Sequence, residues 1–172
     1  MVIIEKLNYK NLFDLVINRH TNKKLLKRIN FAGNCIPEIK ELNKAEKRGT
    51  PLNRYHFMVK HKVNNKTFID GLIGIFHIEE GNQAELGILS TLKFDKVDYL
   101  VEGAKIIVND YCIDKWHLKE LYSYADFDSP NYLSDFWKKF GYDSADPVAG
   151  RVDMTEIYWC YRKMLNNKEQ TR

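Results

Sequence analysis

The sequence predicts an α/β chain of the α+β type, in which helices flank a mixed, mostly antiparallel central sheet. Three observations lead to this prediction. Three extended runs separated by short turns follow one another between residues 54 and 90, the clearest helical periodicity comes directly after them, and two further extended runs enclose a second helix. A length of 172 residues with 44% apolar residues matches one continuous core, so we expect a single domain over residues 1–172.

Residues 1–53 predict one strand followed by helices. The β-branched run from Val2 to Ile4 is typical of a strand, and Asn8 is suited to cap a helix that follows it. Two shorter amphipathic stretches, Lys23 to Ile29 and Ile36 to Ala45, are separated by a Gly-Asn pair, and a proline lies near the start of the second. We expect these helices to lie over one face of the sheet.

Residues 54–90 predict a three-stranded antiparallel meander. Extended runs cover Tyr55 to Val63, Thr67 to Ile78 and Gln83 to Ser90. The segments between them, Asn64-Asn65-Lys66 and Gly81-Asn82, contain the residues that tight turns require. Strands joined by such short turns pair with each other in antiparallel orientation.

Residues 91–117 and 118–165 predict a helix, a strand, a second helix and a closing strand. The first helix is the clearest in the chain, because its apolar residues recur at the helical period. These residues are Val97, Leu100, Val101, Ala104, Ile107, Val108 and Tyr111. Leu118 to Ala125 is typical of a strand, Pro130 opens a helix that runs to about Phe140 and stops at Gly141, and Glu156 to Leu165 is an aromatic-rich final strand. Residues 166–172 are expected to form a flexible tail.

This order of elements resembles the Gcn5-related N-acetyltransferase (GNAT) superfamily over almost the whole chain. Ala84-Glu85-Leu86-Gly87-Ile88 is similar to the fourth strand of many members, where a Glu-Leu-Gly segment precedes the donor-binding turn. Pro130 to Tyr142, which ends in Lys-x-Gly-aromatic, looks like the family's fourth helix. The resemblance implies an acyl-CoA N-acyltransferase-like fold. It also implies transfer of an acyl group, in the first place acetyl, from acyl-CoA to an amine by direct attack.

By this resemblance, Glu85 is the best candidate for the general base, acting directly or through a water. Strand alternation places Ala84, Leu86 and Ile88 on one face and Glu85 on the other, so Glu85 points towards the acceptor if the first face packs under helices. The alternative is a solvated or salt-bridged surface carboxylate, and the sequence does not decide between them. Three residues of the nearby hairpin are weaker candidates: His77, Glu79 and Glu80.

In many GNAT relatives a tyrosine of the fourth helix protonates the leaving thiolate. Aligning on Gly141 places Trp137 at this position, and an indole cannot act as that acid. Tyr132, five residues earlier and about 140° round the helix, is the remaining catalytic candidate. Trp137 either stacks on the donor or fills the core, and Asn131 is a further candidate for donor contact.

The resemblance assigns donor binding to the end of the fourth strand and to the turn after it. The backbone of Ile88, Leu89 and Ser90 would pair with the pantetheine arm. The expected glycine-rich phosphate turn is replaced by Asp95-Lys96-Val97-Asp98, whose two carboxylates we expect to cap the helix and repel a phosphate. The residues left for a looser phosphate contact are Ser90, Thr91, Lys93 and Lys96.

Three functions therefore stay open: an acyl-CoA-dependent acyltransferase, an inactive binding or regulatory module with the same fold, and an acyltransferase that uses another acyl carrier. The acceptor amine is not specified, and a net charge of +4 does not favour nucleic acid. Three widely spaced cysteines and an N-terminus without an uninterrupted hydrophobic stretch suggest a cytoplasmic protein without metal or membrane span. The aromatic tail around Trp159 suits either a core strand or an edge strand in a homodimer.

Overall fold

The computed structural model describes residues 1–8, 11, 35–50, 52–90, 97–126, 131–149 and 157–165, and these residues form a seven-stranded sheet with helices. The strands are β1 (Val2–Lys6), β2 (Tyr55–Val63), β3 (Lys66–Glu79), β4 (Gln83–Ser90), β5 (Glu120–Asp126), β6 (Ser144–Ala149) and β7 (Ile157–Met164). The helices are α1 (Cys35–Lys47), α2 (Asp98–Ile107) and α3 (Asn131–Phe140). No helix in this part of the chain is long and apolar enough to cross a bilayer.

The strands lie in the order β1-β2-β3-β4-β5-β7-β6. Among the described strands, β4 and β5 are parallel and all other neighbours are antiparallel. The mixed, mostly antiparallel sheet with helices is therefore confirmed, as is the meander of β2, β3 and β4. Its first turn holds Asn64 and Asn65 at φ values of 49° and 61°, the left-handed pair that a two-residue type I′ hairpin needs.

Helix α2 covers one face of the sheet, which we call the α2 face. Leu100 and Ala104 are fully buried and belong to the same core cluster as Leu86 of β4. The helix comes closest to the sheet at Gly103, where an added Cβ would lie 2.8 Å from Cγ1 of Val59. Because glycine has no Cβ, the helix can lie this low over β2.

After Ile107, helix α2 continues as a π-helical segment, Val108–Ile113. The backbone N–H groups of Asp114 and Trp116 bond to the carbonyls of Asn109 and Tyr111, five residues back, at 3.1 and 2.8 Å. The sequence predicted an ordinary α-helix through Tyr111, so this prediction is wrong over the last turn. Apolar spacing does not reveal such a segment, because widening one turn displaces the apolar stripe only slightly.

Strand β6 was not predicted from the sequence. It pairs with β7 alone and forms one edge of the sheet. Its six residues contain no β-branched run, and Pro147 indicates a turn rather than a strand. An edge strand tolerates proline because one side of its backbone donates to no neighbouring strand. Strand β7 consequently lies between β5 and β6, so the alternative that it forms a dimer edge is wrong.

The N-terminal elements agree with the sequence analysis where they are described. Helix α1, Cys35–Lys47, contains the predicted Ile36 to Ala45 stretch. Asn8 and Asn11 bond reciprocally through their side-chain oxygens and backbone N–H groups at 3.1 and 2.7 Å, a pattern typical of a helix start. The rest of the helix expected there, the stretch Lys23 to Ile29 and the tail 166–172 lie outside the described residues.

Candidate active site

The parallel strands β4 and β5 separate from each other in the middle of the sheet. Their ladder consists of the pairs Gln83–Glu120, Ala84–Leu121 and Glu85–Tyr122. Beyond this point, β4 stays paired with β3 as far as Ser90, and β5 stays paired with β7 as far as Asp126. A wedge-shaped opening, which we call the β4–β5 gap, therefore lies between residues 86–90 and residues 123–126.

A chain of hydrogen bonds closes the apex of the β4–β5 gap. Ser123 is fully buried, and its Oγ donates to the carbonyl oxygen of Leu86 at 2.6 Å. Since the Ser123 proton is used in this bond, the Tyr142 hydroxyl donates to Ser123 Oγ. Burial raises the pKa of Tyr142, so its hydroxyl keeps the proton that it donates. Ser123 of β5 and Tyr142, which follows α3, thus hold Leu86, the first residue of β4 beyond its ladder with β5.

Replacing Ser123 with alanine is expected to lower the free energy of unfolding by about 1–3 kcal/mol, because the Leu86 carbonyl loses this donor and the Tyr142 hydroxyl loses this acceptor. Urea denaturation measures the change. Ser144→Ala on the exposed strand β6 is the matched control and should change stability by less than about 0.5 kcal/mol. Equal stabilities of the two variants would contradict this role of Ser123.

Glu85 lies on the last rung of the β4–β5 ladder and faces away from α2. Ala84 and Leu86 are buried in the core of the α2 face, so the alternation of β4 directs Glu85 to the opposite face, which we call the second face. The Glu85 side chain is 23% exposed. On the same face, an added Cβ on Gly87 would lie 3.0 Å from Cε2 of Phe76, so the Phe76 ring lies over the β4 backbone next to Glu85.

A β-bulge in β3 brings a second titratable residue to Glu85. The register passes from Phe76–Glu85 to Glu79–Gln83, so β3 has one residue more than β4 between these pairs. His77, within the bulge, has a φ of 50°, and its Nε2 lies 3.8 Å from Oε2 of Glu85. This left-handed backbone conformation costs about 1–2 kcal/mol for a residue that carries a Cβ.

A groove lies beside β1 and is lined in part by residues of helix α1. It is lined by Lys6, Leu7, Leu42, Asn43, Glu46, Leu52, Arg54, Tyr55 and His56. Lys6 pairs with Glu46 of α1, and the His56 ring contacts Phe76 edge-on at 5.2 Å between centroids. The groove is thus linked to the Phe76 ring beside Glu85.

The structure describes some of the candidate donor-binding residues and leaves others outside the described part of the chain. Ile88, Leu89 and Ser90 follow the apex on β4 and form one side of the gap. Asn131 and Tyr132 are the first two residues of α3, of which the structure describes the backbone. Thr91, Lys93 and Lys96 lie outside the described residues. The roles of all these residues stay predictions.

Trp137 is a core residue of α3. Its side chain is 3% exposed, and its ring meets those of Tyr142 and Tyr161 at 5.4 and 5.5 Å between centroids. The indole Nε1 is buried and has no hydrogen-bond acceptor within the described part of the chain. Trp137 thus packs against the tyrosine that closes the apex, and its contact with a donor stays a prediction.

At the start of α2, the structure describes one of the two carboxylates that the sequence predicted as caps, that of Asp98. The N-cap residue is Val97, and no side chain of the described residues caps the helix. The carboxylate of Asp98 instead bonds to Nζ of Lys139 in α3 at 2.7 Å. The prediction that Asp98 occupies the helix donors is therefore wrong, because a lysine from the neighbouring helix attracts its carboxylate; Asp95 lies outside the described residues.

Sequence reasoning missed the two side chains that hold the apex. Ser123 lies 37 residues after its partner Leu86 and 19 residues before Tyr142, so no local spacing connects them. Tyr142 was considered only as the aromatic that closes the helix motif after Gly141. His77 was only a weaker candidate on the hairpin surface, since a bulge that brings it to Glu85 cannot be read from strand alternation.

Solved structures share this fold over nearly the whole chain. A chimera of spermidine N-acetyltransferase SpeG from Vibrio cholerae and hSSAT has a TM-score of 0.65 at 15% identity, with 96% of this chain and 99% of that chain covered. Ribosomal-protein-S5-alanine acetyltransferase from Vibrio fischeri has a TM-score of 0.65 at 11% identity, with 98% and 96% covered. A domain from Methanocaldococcus jannaschii has a TM-score of 0.59 at 14% identity, with 96% and 99% covered.

The chain therefore has the fold of the GNAT N-acetyltransferases. The seven-stranded, mostly antiparallel sheet with helices and the order of its elements agree with the resemblance found in the sequence. No protein-family model matches the sequence, and no curated protein matches it by sequence. Identities of 11–15% show the fold, and the activity has to be argued from the site itself.

Proposed function

We propose that this chain is an N-acyltransferase that moves an acyl group, in the first place acetyl, from acyl-CoA to an amine. One observation carries the proposal: the β4–β5 gap opens directly beside Glu85, so a groove for an extended donor and a carboxylate meet at one point of the sheet. The SpeG chimera and the ribosomal-protein-S5-alanine acetyltransferase share this fold and are acetyltransferases, which supports the same reaction class here.

The described residues fit an acyl-CoA donor along the β4–β5 gap. The pantetheine arm is an extended chain with amide groups, and the β4 backbone from Ile88 to Ser90 would bind it as an added strand. The donor's phosphates would then approach the start of α2, where none of the described side chains caps the helix and the Asp98 carboxylate is bound by Lys139. An uncapped helix start offers backbone N–H groups to an anion.

The reaction requires little further chemistry from the protein. The amine nitrogen attacks the thioester carbonyl carbon, Glu85 takes the amine proton directly or through a water, and the C–S bond breaks to release the thiol form of CoA after protonation. Cys112 and Cys160 are buried free thiols, and burial raises the pKa of both, so neither is suited to form an acyl-enzyme. Direct attack by the amine fits these residues better than covalent catalysis.

The acceptor enters, in this proposal, from the second face of the sheet, on which Glu85 lies. The neighbouring acetyltransferases are named for two different acceptors, spermidine and an alanine of ribosomal protein S5. The class of acceptor assigned here is therefore an amine, without a choice between a small molecule and a protein.

Calorimetric titration with acetyl-CoA tests the donor. We expect a dissociation constant in the micromolar range, which corresponds to about −8 kcal/mol. Desulfo-CoA should bind with similar affinity. Pantetheine, which carries none of the phosphates of CoA, should bind more weakly if the start of α2 receives them. Thiol release from acetyl-CoA in the presence of n-butylamine, spermidine or an alanine-initiated peptide then measures transfer.

A second function, a binding module or an acyltransferase with a different carrier, is favoured by the absence of glycine between residues 91 and 98. Without glycines, the backbone of this segment approaches a pyrophosphate less closely. Absence of any acetyl-CoA binding in the titration would support this second function and would contradict the first.

A further inference from the structure

The β-bulge opposite Glu85 changes the direction of one side chain at the apex of the β4–β5 gap. A regular strand would place residues 76 and 78 on one side of β3 and residue 77 on the other. The extra residue and the left-handed φ of His77 break this alternation, and bulges of this kind commonly redirect a side chain. The result is an imidazole nitrogen 3.8 Å from Oε2 of Glu85.

The two partners differ in their access to solvent. The His77 side chain is 60% exposed, whereas that of Glu85 is 23% exposed. The His77 imidazole is therefore the more solvent-accessible member of the pair. A carboxylate that takes a proton from each acceptor amine has to release it before the next turnover. An imidazole 3.8 Å from the carboxylate and open to solvent can carry that proton through one bridging water.

We propose that His77 is a positioning residue for Glu85 that also conducts the amine proton to solvent; the proposal presupposes the acyl transfer described above. In the balanced reaction, the nitrogen–carbonyl bond forms and the C–S bond breaks. The amine proton passes to Glu85, then through one bridging water to His77 and on to solvent, and the thiolate takes a proton from solvent. The products are the amide and the free thiol. His77 touches Glu85 and not the reacting atoms.

Two matched variants test the role of His77. His77→Gly removes the imidazole and places at φ 50° a residue that adopts this conformation without strain, so the fold should be as stable as the wild type or more stable. His117→Gly is the control, since His117 is exposed and has a φ of 52°. With acetyl-CoA and the best amine among n-butylamine, spermidine and an alanine-initiated peptide, we expect kcat to fall about tenfold for His77→Gly at unchanged KM for acetyl-CoA. For His117→Gly, neither constant should change.

Two further readouts separate positioning from a general structural effect. Added imidazole should raise the activity of His77→Gly several-fold and should not raise that of Glu85→Gln. The second variant lacks the carboxylate from which imidazole would accept the proton. In nuclear magnetic resonance spectra without substrate, the chemical shifts of the His77 ring should differ between the wild type and Glu85→Gln, whereas those of the His117 ring should not.

Three outcomes would overturn the proposal. The first is an unchanged kcat for His77→Gly. The second is a chemical shift of the His77 ring that does not change when Glu85 is replaced by glutamine. The third is a wild-type protein that releases no thiol with any amine of the panel. This last result, seen before any variant is compared, would show that the proposed function itself has failed.

Discussion

Replacing Glu85 with glutamine is expected to lower kcat by about 10²–10⁴-fold while leaving the dissociation constant of acetyl-CoA nearly unchanged. Glutamine keeps the shape of the side chain but cannot accept the amine proton. Glu85 lies at the apex of the β4–β5 gap on the face away from α2, so its removal should affect proton transfer rather than the backbone that would bind the donor. Thiol release and calorimetric titration measure the two quantities separately.

Glu80→Gln is the matched control for this experiment. Glu80 is an exposed carboxylate of the β3–β4 turn, so its substitution removes the same charge without touching the apex. Wild-type turnover is expected for this variant. Equal turnover of Glu85→Gln and wild type would refute the assignment of Glu85 as the base.

Replacing His61 with alanine is expected to lower the free energy of unfolding by about 3–5 kcal/mol at neutral pH. Asp70 is fully buried in β3, and Nδ1 of His61 lies 2.8 Å from both of its carboxylate oxygens. The imidazole also stacks between the rings of Phe68 and Tyr99, at 5.2 and 4.0 Å between centroids. Alanine removes this polar partner of a buried carboxylate and two ring contacts, and urea denaturation measures the loss.

The size of this effect should depend on pH. Burial raises the pKa of Asp70 from its ordinary value of 3.8, while the hydrogen bond and charge of His61 lower it, so removal of His61 raises it further. A carboxyl group with a raised pKa in the folded state contributes stability that is present below pH 3.8 and is lost as the pH rises through the folded pKa. The destabilisation by His61→Ala should therefore be larger at pH 7 than at pH 4.

Asp70→Asn in the His61→Ala background provides the control for the charge. The amide cannot ionise, so the double variant should recover part of the lost stability at pH 7 and should show a flatter pH dependence. His117→Ala, at an exposed histidine, should change stability by less than about 0.5 kcal/mol. Equal destabilisation by His61→Ala at both pH values would show that the lost ring contacts, and not the carboxylate, account for the effect.

Elements with strong local signals were predicted from the sequence. The Asn64-Asn65 turn, the apolar stripe of α2 and the end of α3 at Gly141, which has a φ of 79°, all depend on residues a few positions apart. Strand β6 and the π-helical segment Val108–Ile113 were missed. Their formation depends on contacts with β7 and with the core rather than on their own composition.

By itself, the sequence determined the alternation of β4, and with it the face on which Glu85 lies, because side-chain direction in a strand follows from the backbone repeat of two residues. Only the tertiary structure decided where β4 and β5 separate and what holds that point. The separation arises because each strand keeps a different partner on its outer edge: β4 stays paired with β3, and β5 stays paired with β7. The apex contacts join Leu86, Ser123 and Tyr142, which come together only when the whole sheet has formed.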